Sequence, residues 1–326
     1  MALKSNCDGV IDYAAPLALA LAAALVLASP QAQAASFPLA PDQVLVGTPG
    51  VYVTREEDTL HEVARRNDLG YGQLMAVNRD IDPWLPGAGR SVTLPGVYLV
   101  PDRPRRGIVI NLAEQRLYYF PPDGRTLETY PIGVGAVAQL TPLGTTQVIK
   151  KEVRPTWFPP PSIRAEKPEL PEMVPPGPAN PLGEYALRLG WPAYLIHGTN
   201  KPYGVGRNVS HGCIRLYPED IERVFSEAAV GTPVRVIDEE IRLAWVAGEL
   251  FLAVTPSRRQ MDEIDFNQPM TPDVPPDLIE RVSTAAGGEV GRVDWRIVEE
   301  IGLKRPGLPL QVTRSSISVS KLQPLP

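Results

Sequence analysis

Most of the apolar positions fall in short β-branched or aromatic runs separated by proline and glycine. Between residues 106 and 238 such runs recur as Ile108-Val109-Ile110, 116–120, 130–134, 146–149, Tyr194-Leu195-Ile196 and Val234-Arg235-Val236. Each predicts a strand, because runs of this length and composition suit a pleated, buried surface. Pro122-Asp123-Gly124 is a hairpin signal between two of them, and Pro142-Leu143-Gly144 marks the approach to the next. Helical spacing is firm only at residues 218–229, where Pro218 stands near the start. Glu219 and Asp220 fill the first turn there, and Ile221, Val224 and Phe225 share a face. Residues 156–181 are proline-rich without periodicity and predict a long loop, a length usually associated with function or mobility.

Two flanking regions have different patterns. In residues 50–101 the order is strand, helix, helix, strand: Val51-Tyr52-Val53, then Leu60, Val63 and Ala64 behind a cap at Asp58 or Thr59, then 74–78, then Val92-Thr93-Leu94. Residues 101–106, PDRPRR, read as a linker. Beyond Asp238 the pattern predicts a strand at 250–254, a helix at 276–285 and a short helix at 294–301, a packing extension with a frayed end and no chemistry of its own.

At the N-terminus an apolar run at residues 14–28 follows Lys4 and precedes Ala32-Gln33-Ala34. This is the layout of a secretory leader, residues 1–34, with cleavage after Ala34. The run is shorter than the roughly 20 residues that span a bilayer, although Asp8 and Asp12 dilute the positive start. Cleavage would remove Cys7 and leave Cys213 as the one cysteine of the exported chain, so no intramolecular disulfide is expected. Composition narrows the classes further. The chain has 326 residues, 44% apolar and 21% charged, a net charge of −5 and 37 prolines, which excludes disorder and collagen and gives no basic stripe for nucleic acid.

The candidate chemistry lies in residues 194–216, YLIHGTNKPYGVGRNVSHGCIRL. Two of the three histidines, His197 and His211, meet Cys213 there, behind an apolar strand and inside a glycine-bearing return through Gly204 and Gly206. A thiol attacks carbonyls once an imidazole takes its proton. His197 at the strand end is placed as that base. The same three residues have zinc-ligand types but lack the usual paired spacings. His61 is read as a solvated residue on the polar side of a helix.

The motifs His197-Gly198-Thr199-Asn200 and Ser210-His211-Gly212-Cys213-Ile214-Arg215-Leu216, with Gly133-Val134-Gly135 and Thr141-Pro142-Leu143-Gly144 upstream, resemble the L,D-transpeptidase (YkuD) family, with Leu143 where threonine is more usual. Residues 50–101 resemble a LysM peptidoglycan-binding module through Tyr52-Val53, Asp58-Thr59-Leu60, Val63-Ala64, Leu74, Asn78, Pro86-Gly87 and Leu94-Pro95. The resemblance implies a mainly β protein: a YkuD-type β-sandwich catalytic domain with one or two short helices at 106–238, preceded by a small βααβ LysM-like module and followed by a C-terminal extension at 239–326.

It further implies a periplasmic enzyme in which Cys213 attacks the carbonyl between meso-diaminopimelate and D-alanine of a peptidoglycan stem and passes the acyl group to an amine. In that scheme His197 is the base, the Gly198 carbonyl orients its ring, and His211, Gly212 and the Cys213 amide surround the oxyanion. Arg215, Asn208, Ser210 and Thr199 are substrate-side candidates, with Asn208 and Ser210 read first as loop-fixing groups and Arg215 as a buttress of the loop ahead of a binder of a stem carboxylate. No metal or cofactor is implied. The partners are peptidoglycan and, as acceptor, a lipoprotein lysine or a second diaminopimelate. A sortase-like enzyme would differ at SHGCIRL, and a non-catalytic wall-binding protein would form no acyl-enzyme.

Overall fold

Strands covered on both faces carry continuous apolar runs rather than alternation, and this accounts for the two central strands. In Gly107–Asn111 and Arg116–Phe120 every residue is buried. Ile108, Ile110, Leu117 and Tyr119 turn to one core with Tyr130, Val148, Leu187, Ile196, Ile214, Ile221 and Val224. Val109, Tyr118 and Phe120 turn to the other with Val46, Tyr98, Val100 and Leu127. The computed structural model describes residues 35–135, 140–210 and 212–314, so the predicted leader at 1–34 and His211 lie outside the described residues.

These strands belong to a nine-stranded sheet in a mostly β protein. Its spatial order is Ala35–Pro38, Thr126–Pro131, Arg116–Phe120, Gly107–Asn111, Pro233–Ile237, Gly144–Val153, Tyr185–Leu189, Leu195–His197 and Ile214–Arg215. Two neighbouring pairs are parallel: Gly107–Asn111 with Pro233–Ile237, and Leu195–His197 with Ile214–Arg215. The long strand Gly144–Val153 pairs with Pro233–Ile237 through its first residues and with Tyr185–Leu189 through its last, with a register shift between Val148 and Lys150. Such an irregularity bends a strand, and here it curls the sheet. Helix Pro218–Glu227 packs Ile221 and Val224 into the first core.

In residues 50–101 strand Gly50–Val53 pairs antiparallel with Ser91–Leu94, and helices Leu60–Arg66 and Tyr71–Ala76 lie between them in sequence. Thr59, not Asp58, caps the first helix, its hydroxyl accepting from the Glu62 amide at 3.3 Å. The core of this segment joins Leu60, Val63, Leu69, Leu74 and Val92 to Met261 and Ile264. The last two come from helix Arg258–Asp265, which periodicity did not predict, because only those two of its residues are large and apolar. Its Ser257/Gln260 capping box was nonetheless present in the sequence.

The stretch expected to be a loop without elements has some. Residues 156–181 contain a short helix, Pro161–Glu166, and a bridge between Trp157 and Val174. The helix buries only Ile163, too little to produce a periodic signal. The C-terminal segment forms the expected strand and both expected helices and adds two strands to them. Strands Ile241–Val246, Glu249–Val254 and Leu310–Gln311 form a sheet, and helices Leu278–Ala286 and Trp295–Lys304 close a separate core over Leu250, Leu252, Val282 and Ile301.

Candidate active site

His197 ends strand Leu195–His197, all three residues of which are buried. The parallel neighbour Ile214–Arg215 sets Ile214 beside Ile196 and Arg215 beside His197, and the Leu216 amide donates to the His197 carbonyl at 2.9 Å. Cys213 immediately precedes that neighbour. Its sulfur donates to the Ala193 carbonyl at 3.5 Å, and its side chain packs on Leu182, Ala186 and Leu195 near Trp157. The parallel register, which no local signal encodes, therefore brings the thiol and the imidazole to one sheet edge.

The chain reaches this position through Gly212, whose φ of +92° is a left-handed conformation that glycine alone adopts without strain. The Gly212 carbonyl accepts from the buried Thr141 hydroxyl at 2.8 Å. Arg215 exchanges backbone hydrogen bonds with Gly133 at 2.8 and 2.9 Å. The two upstream motifs, remote in sequence, thus clamp the thiol loop from both sides. Thr141 belongs to the upstream Thr141-Pro142-Leu143-Gly144 motif, and no local signal in the sequence marks its contact with Gly212.

The imidazole Nδ1 lies 2.6 Å from the Gly198 carbonyl. A carbonyl can only accept, so Nδ1 bears the proton and Nε2 offers its lone pair. Burial, with the Arg215 guanidinium second, pushes His197 down to about 3. Burial also pushes the Cys213 thiol up, against smaller opposing effects of the Leu195 backbone amide and then the Arg215 guanidinium. Both shifts favour a neutral thiol and a neutral imidazole.

The substrate-side candidates separate. Asn208 is engaged within the fold: its Oδ1 accepts from Gln115 Nε2 at 2.9 Å, and its Nδ2 donates to Asp262 Oδ1 at 2.9 Å and to the Arg258 carbonyl. Thr199 is buried and its hydroxyl accepts from the Lys201 amide at 2.9 Å. Ser210 stands opposite Gly135 in a parallel two-stranded pairing. The Arg215 Nε is buried without a hydrogen-bond partner among the described residues, and burial lowers its pKa.

His61 departs from the sequence expectation. It is buried, stacked on Tyr71 with ring centroids 4.0 Å apart, and its Nε2 accepts from Arg207 Nη2 at 2.6 Å. The predicted helix does form, but the loop holding Tyr203 and Arg207 covers the face assigned to solvent.

Residues 105–236 match the YkuD family, described as the L,D-transpeptidase catalytic domain. The chain is 36% identical over 316 residues to a protein of Escherichia coli strain K12 named "Probable L,D-transpeptidase YcfS", covering 92% of this chain and 95% of that one. It is 36% identical over 303 residues to "Probable L,D-transpeptidase ErfK/SrfK" of the same strain, covering 90% and 96%. A solved L,D-transpeptidase from Mycobacterium smegmatis is 26% identical over 40% of this chain and 57% of that one, with a TM-score of 0.30.

Proposed function

Because this chain belongs to the L,D-transpeptidase family of YkuD enzymes, we propose that it is a transferase using Cys213 as nucleophile and His197 as general base on peptidoglycan. The observation that carries this is the His197 ring. Its Nδ1 is held 2.6 Å from a backbone carbonyl, which leaves Nε2 as the unprotonated nitrogen, and it stands on the strand paired with the one that Cys213 leads into. In acylation the Cys213 sulfur attacks the carbonyl between meso-diaminopimelate and D-alanine while Nε2 takes the thiol proton. The amide C–N bond breaks, the proton passes to the departing D-alanine amine, and a thioester remains. An acceptor amine then attacks the thioester, loses its proton to Nε2, and the thiol is restored.

The Gly212 and Cys213 amides, with His211, are proposed to face the oxyanion; the loss of one such donor typically costs about 2.7 to 4 kcal/mol of barrier. Arg215 keeps a substrate-side role, its Nε having no hydrogen-bond partner among the described residues. Asn208, with its hydrogen bonds spent on Gln115 and Asp262, is assigned to the loop. The chain is proposed to work in the periplasm after loss of residues 1–34. Residues 50–101 serve as a LysM-like wall-binding module, residues 106–238 as the catalytic domain and residues 239–326 as an extension. The acceptor proposed is a lipoprotein lysine, with a second diaminopimelate as the alternative.

Intact-protein mass spectrometry with a diaminopimelate tetrapeptide stem tests the reading. A tripeptide adduct that is absent in Cys213→Ala and moves to a lysine-ended lipoprotein peptide is expected. Transfer to a second stem alone moves the assignment to cross-linking, and an adduct surviving in Cys213→Ala removes the cysteine from the chemistry.

A further inference from the structure

Strand Ala35–Pro38 lies at the edge of the large sheet, with Ala35 opposite Thr129. The Ala35 nitrogen donates to Asp68 Oδ2 at 2.6 Å. Asp68 is buried just beyond the end of helix Leu60–Arg66. Asp220, in the first turn of helix Pro218–Glu227, is also buried, and its Oδ2 has no hydrogen-bond partner among the described residues. The two carboxyls feel one another: Asp68 is the strongest charge acting on Asp220, and burial pushes both upward, Asp68 to about 7.

The charges around this pair do not balance. Arg116 is buried beside them, donating to the Asp68 carbonyl at 2.9 Å, to Gln73 Oε1 at 2.9 Å and to Thr129 Oγ1 at 3.1 Å. Arg65 is neutralised by Glu219 through two bonds of 2.7 Å, and Arg223 by Glu128 at 2.5 Å. Two buried carboxylates therefore face one uncommitted guanidinium. A buried carboxyl without a counter-charge holds a proton instead of staying ionised, and a cation brought to this pocket would take that proton's place. The atom already in contact with Asp68 is the nitrogen that follows Ala32-Gln33-Ala34.

We propose that this pocket is the binding site for the protein's own mature N-terminus, an α-ammonium on Ala35 paired with Asp68 and Asp220. The proposal rests on the export reading, with cleavage after Ala34. Hydrolysis of the Ala34–Ala35 amide leaves the carboxylate on the leader and the amine on Ala35. That amine takes up a proton and supplies that cation. The uncleaved chain offers only a neutral amide at the same place. Processing thereby ties four pieces together: the edge strand, the end of the first module helix, the Arg116 strand, and helix Pro218–Glu227. Ile221 of that last helix lies where a side chain on Gly198 would meet it, next to His197. Removal of the leader is in this way a stabilising event for the folded enzyme.

The full precursor is expressed with its own leader in a diderm host, and the exported protein is recovered. Its intact mass reads the processing, and a start at any residue other than Ala35 overturns the proposal through its premise. The pairing is read separately, by labelling with 2-pyridinecarboxaldehyde, which selects α-amines. Native protein should label about tenfold or more slowly than urea-unfolded protein, since a buried ion-paired amine reacts only through local opening. Equal rates overturn the site even when the mass is right. Asp68→Asn should restore fast labelling. If that variant does not fold, a glycine inserted between Ala34 and Ala35, processed before the glycine, displaces the charge by one residue. Its Tm should fall by about 2–4 °C or more, and an unchanged Tm overturns the pairing.

Discussion

At the scale of single residues, the chemistry turns on which protons sit where. Burial acts on Cys213 and His197 in opposite directions, raising the thiol and lowering the imidazole to about 3. The resting pair is thus neutral, and under the proposed mechanism His197 is ready to accept a proton instead of already holding one. His197 stays neutral through the range in which an ordinary histidine titrates, near pH 6.5. We therefore expect kcat/KM for acylation to show no acid limb centred near pH 6.5 and to hold its value down to about pH 5. A stopped-flow acylation profile checks this, and a limb at the ordinary histidine value would place His197 in a more polar setting. Thr141 acts one step away from the reacting atoms. Its hydroxyl holds the Gly212 carbonyl, so Thr141→Val keeps the shape and removes the clamp. The loss of a buried hydrogen bond costs about 1–3 kcal/mol. The expected signature is a drop in kcat with little change in KM, measurable in steady-state assays.

Among the elements, helix Arg258–Asp265 shows how an unremarkable segment acquires a role. It carries Asp262, which accepts from Asn208 on the strand leading to the thiol loop, and Met261 and Ile264, which complete the core of residues 50–101. The loop between His197 and Cys213 is tied to that same segment. Gly206, at φ +78°, brings its backbone so close to Tyr71 that a Cβ would lie 2.3 Å from the Tyr71 nitrogen, and the Gly72 amide donates to the Gly206 carbonyl at 3.1 Å. The βααβ segment therefore braces the return loop, and it also presents an exposed apolar surface. On that surface Trp84 and Leu85 project from the connection after helix Tyr71–Ala76, 56% and 81% exposed. Leu85→Ser removes apolar surface without touching the core. Under the LysM-like reading it should weaken co-sedimentation with insoluble peptidoglycan while Tm stays unchanged, and full sedimentation would take the wall contact away from this loop.

For the whole molecule, the junction at His61 sets a pH dependence. His61 sits between the module helix and the loop carrying Tyr203 and Arg207, and burial followed by the Arg207 charge pushes it down to about 4. The folded state holds it neutral while the unfolded chain titrates near 6.5. Its contribution to stability is complete above pH 6.5 and is lost as pH falls from there through about 4. His61→Phe retains a ring against Tyr71 and removes the titration. Urea melts at pH 7 and pH 5 should show wild type losing more stability than His61→Phe, and equal losses would show that the ring does not titrate across folding. Deleting residues 50–101 is for the same reason no clean test of wall binding, since it would strip Met261 and Ile264 of their core.

The sequence by itself determined whatever depends on neighbours along the chain. The central strands, the helix behind Pro218, the strand, helix, helix, strand order of residues 50–101 and the grouping of His197 with Cys213 all rest on local periodicity, capping and motif spacing. Only the tertiary structure decided the rest. The parallel pairing that sets Arg215 beside His197, the Thr141 clamp, the burial of His61 beneath Tyr203 and the meeting of Ala35 with Asp68 each join residues brought together by packing. Local propensity records how a residue fits its own helix or strand. It does not record which distant surface will exclude water from it, and that exclusion sets the charge states and contacts described here.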